Sequence, residues 1–166
     1  MIRRSLVTTA GAVFASLALT RAPVWAADVD TANGTLLDRY VAAFNAHDTG
    51  AFSSVIGEDY VQHNGRAGQG LAGLQEALRT YFQTFPDFHV QVEDRIFAGD
   101  RVVARNTLTA THTQPVALGS GAPVFPPTGK KLTWAGIDIW RVAGGKFAEN
   151  WDETDFLGLA RQLRGS

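Results

Sequence analysis

Two neighbouring runs decide how this chain folds: Leu132-Thr133-Trp134-Ala135-Gly136-Ile137-Asp138-Ile139-Trp140 and Lys146-Phe147-Ala148-Glu149-Asn150-Trp151-Asp152-Glu153-Thr154-Asp155-Phe156. Both are rich in β-branched and aromatic residues, and Gly144-Gly145 between them supplies a tight turn, so they predict consecutive antiparallel strands. Each run nevertheless holds a carboxylate among apolar neighbours, Asp138 in the first and Asp152 in the second. Burying an unpaired charge costs several kcal/mol. Carboxylates kept in such places do chemistry or hold a partner.

Upstream, the alternation continues. Phe88, Val90 and Val92 alternate with His89, Gln91 and Glu93, and a turn at Gly99-Asp100 leads into a strand over 101–113. Earlier still the period becomes helical. Leu36, Leu37, Tyr40, Val41 and Phe44 share one face of a helix that Asn33 or Thr35 can cap. Leu71, Leu74, Leu78, Tyr81, Phe82 and Phe85 share a face of a second helix, which Pro86 stops. Between them lie a helical turn with Phe52, Val55 and Ile56 and a brief extended piece over 59–63. Phe156, Leu159, Ala160 and Leu163 mark the inward face of a closing helix. Helices followed by consecutive strands predict an α+β domain in which a curved antiparallel sheet wraps around the N-terminal helices.

Period-two counting assigns the inside of that cone. Val102, Ala104, Asn106, Leu108, Ala110 and His112 share a face, as do Leu132, Trp134, Gly136, Asp138 and Trp140, and then Ala148, Asn150 and Asp152. Together they predict an apolar, aromatic pocket with a few polar groups, the usual composition of a small-molecule site. The expected substrate-binding residues are Trp134, Trp140, Asn106, Leu108, Asn150 and Tyr60; the expected catalytic residues are Asp152, Asp138, His63 and His112. Residues 114–128, with four prolines, are long for an inert connection and read as a flap or pocket rim.

Apolar surroundings disfavour a charged carboxylate, which gives Asp152, flanked by Trp134 and Trp140, the character of a base able to take a proton alpha to a carbonyl. Asp138 nearby would share a proton with it, and Asn150, His63 or His112 would donate to a developing enolate oxygen. The alternative for both carboxylates is structural, pairing with Arg105 or capping a backbone turn. His63, His89 and His112 sit on separate elements without ligand-like spacing, and there is no cysteine, so no metal is expected. His89 is assigned to the outer face and His47 to a helix end, where positive charge suits the dipole. The absence of a Gly-rich phosphate loop or a nucleophile elbow leaves no expected cofactor.

The first 26 residues read as an export segment. Arg3-Arg4 precede an uncharged, weakly apolar stretch, and Val24-Trp25-Ala26 suits a signal peptidase, with the twin-arginine route favoured by the arginine pair. The uncharged stretch falls short of the roughly 20 residues that span a bilayer. Residues 27–166 then form one domain. Without Arg3, Arg4 and Arg21 that domain has 12 basic and 16 acidic residues, a charge near −4 that attracts neither nucleic acid nor anionic membrane.

Several short runs, in order, carry a resemblance: Tyr60-Val61-Gln62-His63-Asn64, Phe85-Pro86-Asp87-Phe88-His89, Gly99-Asp100-Arg101-Val102-Val103, Thr111-His112-Thr113, Pro126-Pro127-Thr128-Gly129, Gly136-Ile137-Asp138-Ile139 and Trp151-Asp152. Over 36–163 the chain resembles the SnoaL-like polyketide cyclases, also labelled ester cyclases. The resemblance implies the cone-shaped fold of nuclear transport factor two and ketosteroid isomerase, assembled into homodimers or homotetramers through the sheet. It also implies intramolecular aldol closure of a polyketide ester without metal or cofactor, with an aspartate of the last strand, matching Asp152, as acid and base. Asp138 stands where those cyclases carry a pocket histidine, Ala110 replaces a glycine, and the loop before Pro126 is longer. Three classes of function follow. One is an exported acid-base enzyme acting on a small hydrophobic carbonyl or ester compound; the others are a carrier of such a ligand and an oligomerisation module with a vestigial pocket.

Overall fold

The computed structural model describes residues 24–64, 68–119 and 121–164, with side chains described from Asp28 onward. The expected export segment lies outside the described residues as far as position 23, and its expected end falls in the first turn of α1 (Val24–Asn45). Asn33 and Thr35 are interior to α1 and cap nothing. Asn33 is buried and donates Nδ2 to the Gly99 carbonyl at 2.9 Å, tying the helix to a β-turn, while Thr35 Oγ1 bonds back to the Thr31 carbonyl at 3.1 Å.

A 3-10 turn (Ala51–Ser54) leads into β1 (Ile56–Gln62) and then α2 (Gly70–Thr84), which stops one residue before Phe85-Pro86. There follow β2 (His89–Ala98), β3 (Arg101–Thr111), the two-residue strands β4 (Val116–Ala117) and β5 (Val124–Phe125), β6 (Lys131–Ala143), β7 (Lys146–Thr154) and α3 (Phe156–Arg164). The main sheet has the order β1-β7-β6-β3-β2. Its β2, β3, β6 and β7 are antiparallel, but β1 runs parallel to β7. The expected wholly antiparallel sheet is therefore mixed at one edge. No hairpin joins β1 to β7, so the chain between them, and not a turn, sets their relative direction.

Gly144 and Gly145 both have positive φ, 58° and 75°, as a two-residue hairpin between β6 and β7 requires. On β3 and β6 the predicted alternation holds: Val102, Ala104, Asn106, Ala110, Leu132, Trp134 and Trp140 are buried, while Ile137 and Ile139 are exposed. On β7 it needs one correction. The β6–β7 register shifts so that Val142 faces Phe147 and Arg141 faces Glu149, leaving Ala148 as the extra residue of a bulge. Phe147, fully buried, takes the inward place expected of Ala148.

The helices fill the concave side. Tyr40 of α1 meets Phe44, Phe52, Trp140 and Phe147 with ring centroids 5.3 to 5.8 Å apart, mostly edge to face, the favoured geometry for aromatic pairs. β4 and β5 form a small hairpin within the proline-rich segment. Thr128 and Gly129 both donate their N–H groups to the His112 carbonyl, at 3.2 and 2.9 Å, which ties the two ends of that segment together. No helix among the described residues is long and apolar enough to cross a membrane.

Candidate active site

Because α1 and α2 cover only part of the concave sheet, a cavity of about 490 Å3 lies between them, the proline-rich flap and α3. Its walls are mainly apolar: Tyr40 and Phe44 from α1, Leu78 and Tyr81 from α2, Trp134 and Trp140 from β6, Val116 to Leu118 from the flap, and Phe156 and Leu159 from α3. Polar groups converge at one region of this wall, namely Gln62, Asn64, Asn106, Asp138, Asn150 and Asp152.

Strand register brings the two carboxylates together. Asp138 and Asp152 are direct partners across β6 and β7, and both line the cavity. Amides surround them. Asn106 Nδ2 donates to Asp138 Oδ2 at 2.8 Å and Asn150 Nδ2 to Asp138 Oδ1 at 3.2 Å. Gln62 Nε2 donates to Asp152 Oδ1 at 2.6 Å and to Asn150 Oδ1 at 2.7 Å, and Asn64 Nδ2 also donates to Asp152 Oδ1. Tyr60 completes the set by donating its hydroxyl to Gln62 Oε1 at 2.8 Å. The structural alternative involving Arg105 fails, since Arg105 neighbours Ala104, the partner of Asp138, and points to the exposed outer face.

This charge is felt by the buried phenols. Burial foremost, then Asp138 and Asp152, push the Tyr60 pKa far above the ordinary phenol value, with the Trp140 side chain acting in the opposite sense. Tyr40 is raised for the same reasons, burial first and then Tyr60, Asp138 and Asp152. Both hydroxyls therefore keep their hydrogens, and that of Tyr60 is donated to Gln62.

Of the expected residues, Asp152, Asp138, Trp134, Trp140, Asn106, Leu108 and Asn150 line the cavity. Tyr60 does not: it is 1% exposed and sits behind Gln62, touching the site through that side chain. His63 is also not in the pocket. Alternation along β1 turns it to the outer face, where it stacks on Trp151 and bonds Glu149 Oε2 at 2.9 Å. His112 faces inward but does not line the cavity: it is fully buried, and its Nδ1 shares a hydrogen bond with Thr128 Oγ1 at 3.1 Å. Gln62, Asn64 and Tyr40 were missed as site residues. The signal was present for two of them, because Tyr60, Gln62 and Asn64 share one parity in an extended run and His63 has the other. Among the described residues no cluster of three or more His, Cys, Asp or Glu side chains is placed to hold a metal ion.

A profile of the SnoaL-like polyketide cyclase family matches residues 34–163. The chain belongs to this family. Solved structures agree with the SnoaL-like assignment. The TsrD protein of Streptomyces laurentii is 31% identical, with a TM-score of 0.72 over 80% of this chain and 95% of its own. A candidate polyketide cyclase from Acidithiobacillus ferrooxidans is 26% identical, with a TM-score of 0.70 over 81% and 95%. IdmH of Streptomyces antibioticus, another candidate polyketide cyclase, is 25% identical, with a TM-score of 0.68 over 79% and 97%. No curated relative matches the chain. The SnoaL-like fold, α+β of the nuclear transport factor two type, is thus established, and family and neighbours together support a cyclase-type role.

Proposed function

We propose that this SnoaL-like chain is a cyclase-type enzyme that runs acid-base chemistry on a small hydrophobic carbonyl or ester compound, with Asp152 moving the proton and no cofactor taking part. The observation that carries the reading is the direct pairing of Asp138 and Asp152 at the polar region of an otherwise apolar cavity. Asp152 takes a proton from the carbon alpha to a carbonyl, and the C–H electron pair becomes an enolate. The enolate carbon attacks a second carbonyl of the same molecule; a C–C bond forms as the C=O π pair moves onto oxygen. That alkoxide then receives the proton from Asp152, so the product is an isomer of the substrate. Two carboxylates facing each other favour sharing one proton, which suits a group that must act as base and then as acid. Of the donors expected for the enolate oxygen, Asn150 lines the cavity while His63 and His112 do not.

The test incubates wild-type and Asp152→Asn protein with host-culture extract and follows both solution and protein-retained compounds by mass spectrometry. The expected result is a compound that changes retention at unchanged mass, or with loss of water, in the presence of wild type. Asp152→Asn slows this by about 100-fold or more while still retaining the compound. A compound retained unchanged by both proteins makes the chain a carrier; turnover equal in both overturns the assignment of Asp152. The same reading has the chain exported and assembled as a homodimer or homotetramer through the outer face of the sheet, where Ile137 and Ile139 are exposed.

A further inference from the structure

Alternation along β1 places Tyr60 and Gln62 on the same face, two residues apart, with Tyr60 buried behind the cavity wall and Gln62 in it. A primary amide offers an acceptor on one side and two donors on the other, and its neighbours decide which way it lies. Gln62 has two oxygens within reach of one side, Asp152 Oδ1 at 2.6 Å and Asn150 Oδ1 at 2.7 Å, and the Tyr60 hydroxyl at 2.8 Å on the other. Asn150 then passes its own Nδ2 to Asp138 at 3.2 Å. The orientation of one amide thereby links both carboxylates.

We propose that Tyr60 is a positioning residue: by donating its hydroxyl hydrogen to Gln62 Oε1 it fixes the direction of the Gln62 amide, and so aims the Gln62 N–H groups at Asp152 and Asn150. The proposal rests on the reading of Asp152 as the acid-base group. A Gln62 side chain released from Tyr60 turns Oε1 towards Asp152 in a share of molecules, and oxygen then faces oxygen where a donor stood. Stabilisation of the charged carboxylate falls accordingly. The titratable groups bearing on this region from other elements include Tyr40 of α1 and Asp138 of β6, neither of which is altered in the test.

The test is an NMR titration of the full chain labelled with 13C at the aspartate carboxyl carbons, from about pH 3 to about pH 8, spanning the usual range of a carboxylate and its upward shifts. The Asp152 signal is identified by its loss in Asp152→Asn. Tyr60→Phe, which keeps the ring and its packing, is expected to raise the Asp152 midpoint by about half to one pH unit. Gln62→Met is expected to raise it at least as far, and adding Tyr60→Phe to Gln62→Met to move it no further. An Asp152 signal that behaves identically in wild type and Tyr60→Phe overturns the proposal. So does an equal Tyr60→Phe shift with and without Gln62. No substrate enters this measurement, so it fails or succeeds separately from the turnover test of Asp152→Asn.

Discussion

His63 illustrates how a single side chain finds its role through its strand's parity. Its imidazole stacks on the Trp151 indole at 4.3 Å, with 4° between the planes, and Arg101 lies over the same indole at 5.2 Å. Hydrogen bonds from His63 and then Arg141 hold Glu149 below the usual carboxylate range. This is an outer-face cluster, on the other side of the sheet from the cavity. His63→Ala is therefore expected to leave turnover within about twofold of wild type, because surface ion pairs contribute little and no reacting group is touched. A steady-state comparison checks it, and a loss approaching that of Asp152→Asn would return His63 to the site. The parity shared by Tyr60, Gln62 and Asn64 is legible in the sequence and sets His63 on the opposite face, against Trp151 and Glu149.

At the scale of elements, the flap decides how closed the cavity is. Val116, Ala117 and Leu118 line the cavity, and the segment's ends are already joined at the His112 carbonyl. Asp87 secures the point where β3 gives way to the flap: the hydroxyl and backbone N–H of Thr111 both donate to it and hold its pKa below the usual carboxylate value. Replacing residues 116–126 by a short glycine link should thus preserve the fold, since closing a shorter loop costs little. The apolar wall is lost with it. Affinity for an apolar fluorescent dye is expected to fall about tenfold, on the scale of a few buried methylene groups. Unchanged affinity would show that the helices and sheet enclose the ligand unaided. Proline content and length marked this segment as a flap in the sequence, but β4 and β5 are two residues each and too short to leave a period.

For the whole molecule, the proposed assembly through the outer face of the sheet is open to a direct measurement. Ile96, Ile137 and Ile139 are 58%, 47% and 40% exposed on it. If copies pair there and the chain is exported as proposed, native mass spectrometry of the protein recovered from its host gives two or four protomers, each beginning at Ala27, and the double substitution Ile137→Lys, Ile139→Lys gives one. A monomeric wild type would remove assembly from the proposal, and a protomer retaining residues 1–26 would remove export. The sequence by itself determined the α+β class, the family and most of the cavity's inner face, because alternation and helical period are properties of neighbouring residues. Only the tertiary structure decided the hydrogen-bonded union of Tyr60, Gln62, Asn150, Asp138 and Asp152. Gln62 and Asn150 stand 88 positions apart and meet through the parallel pairing of β1 with β7, a register that no local pattern along either strand encodes.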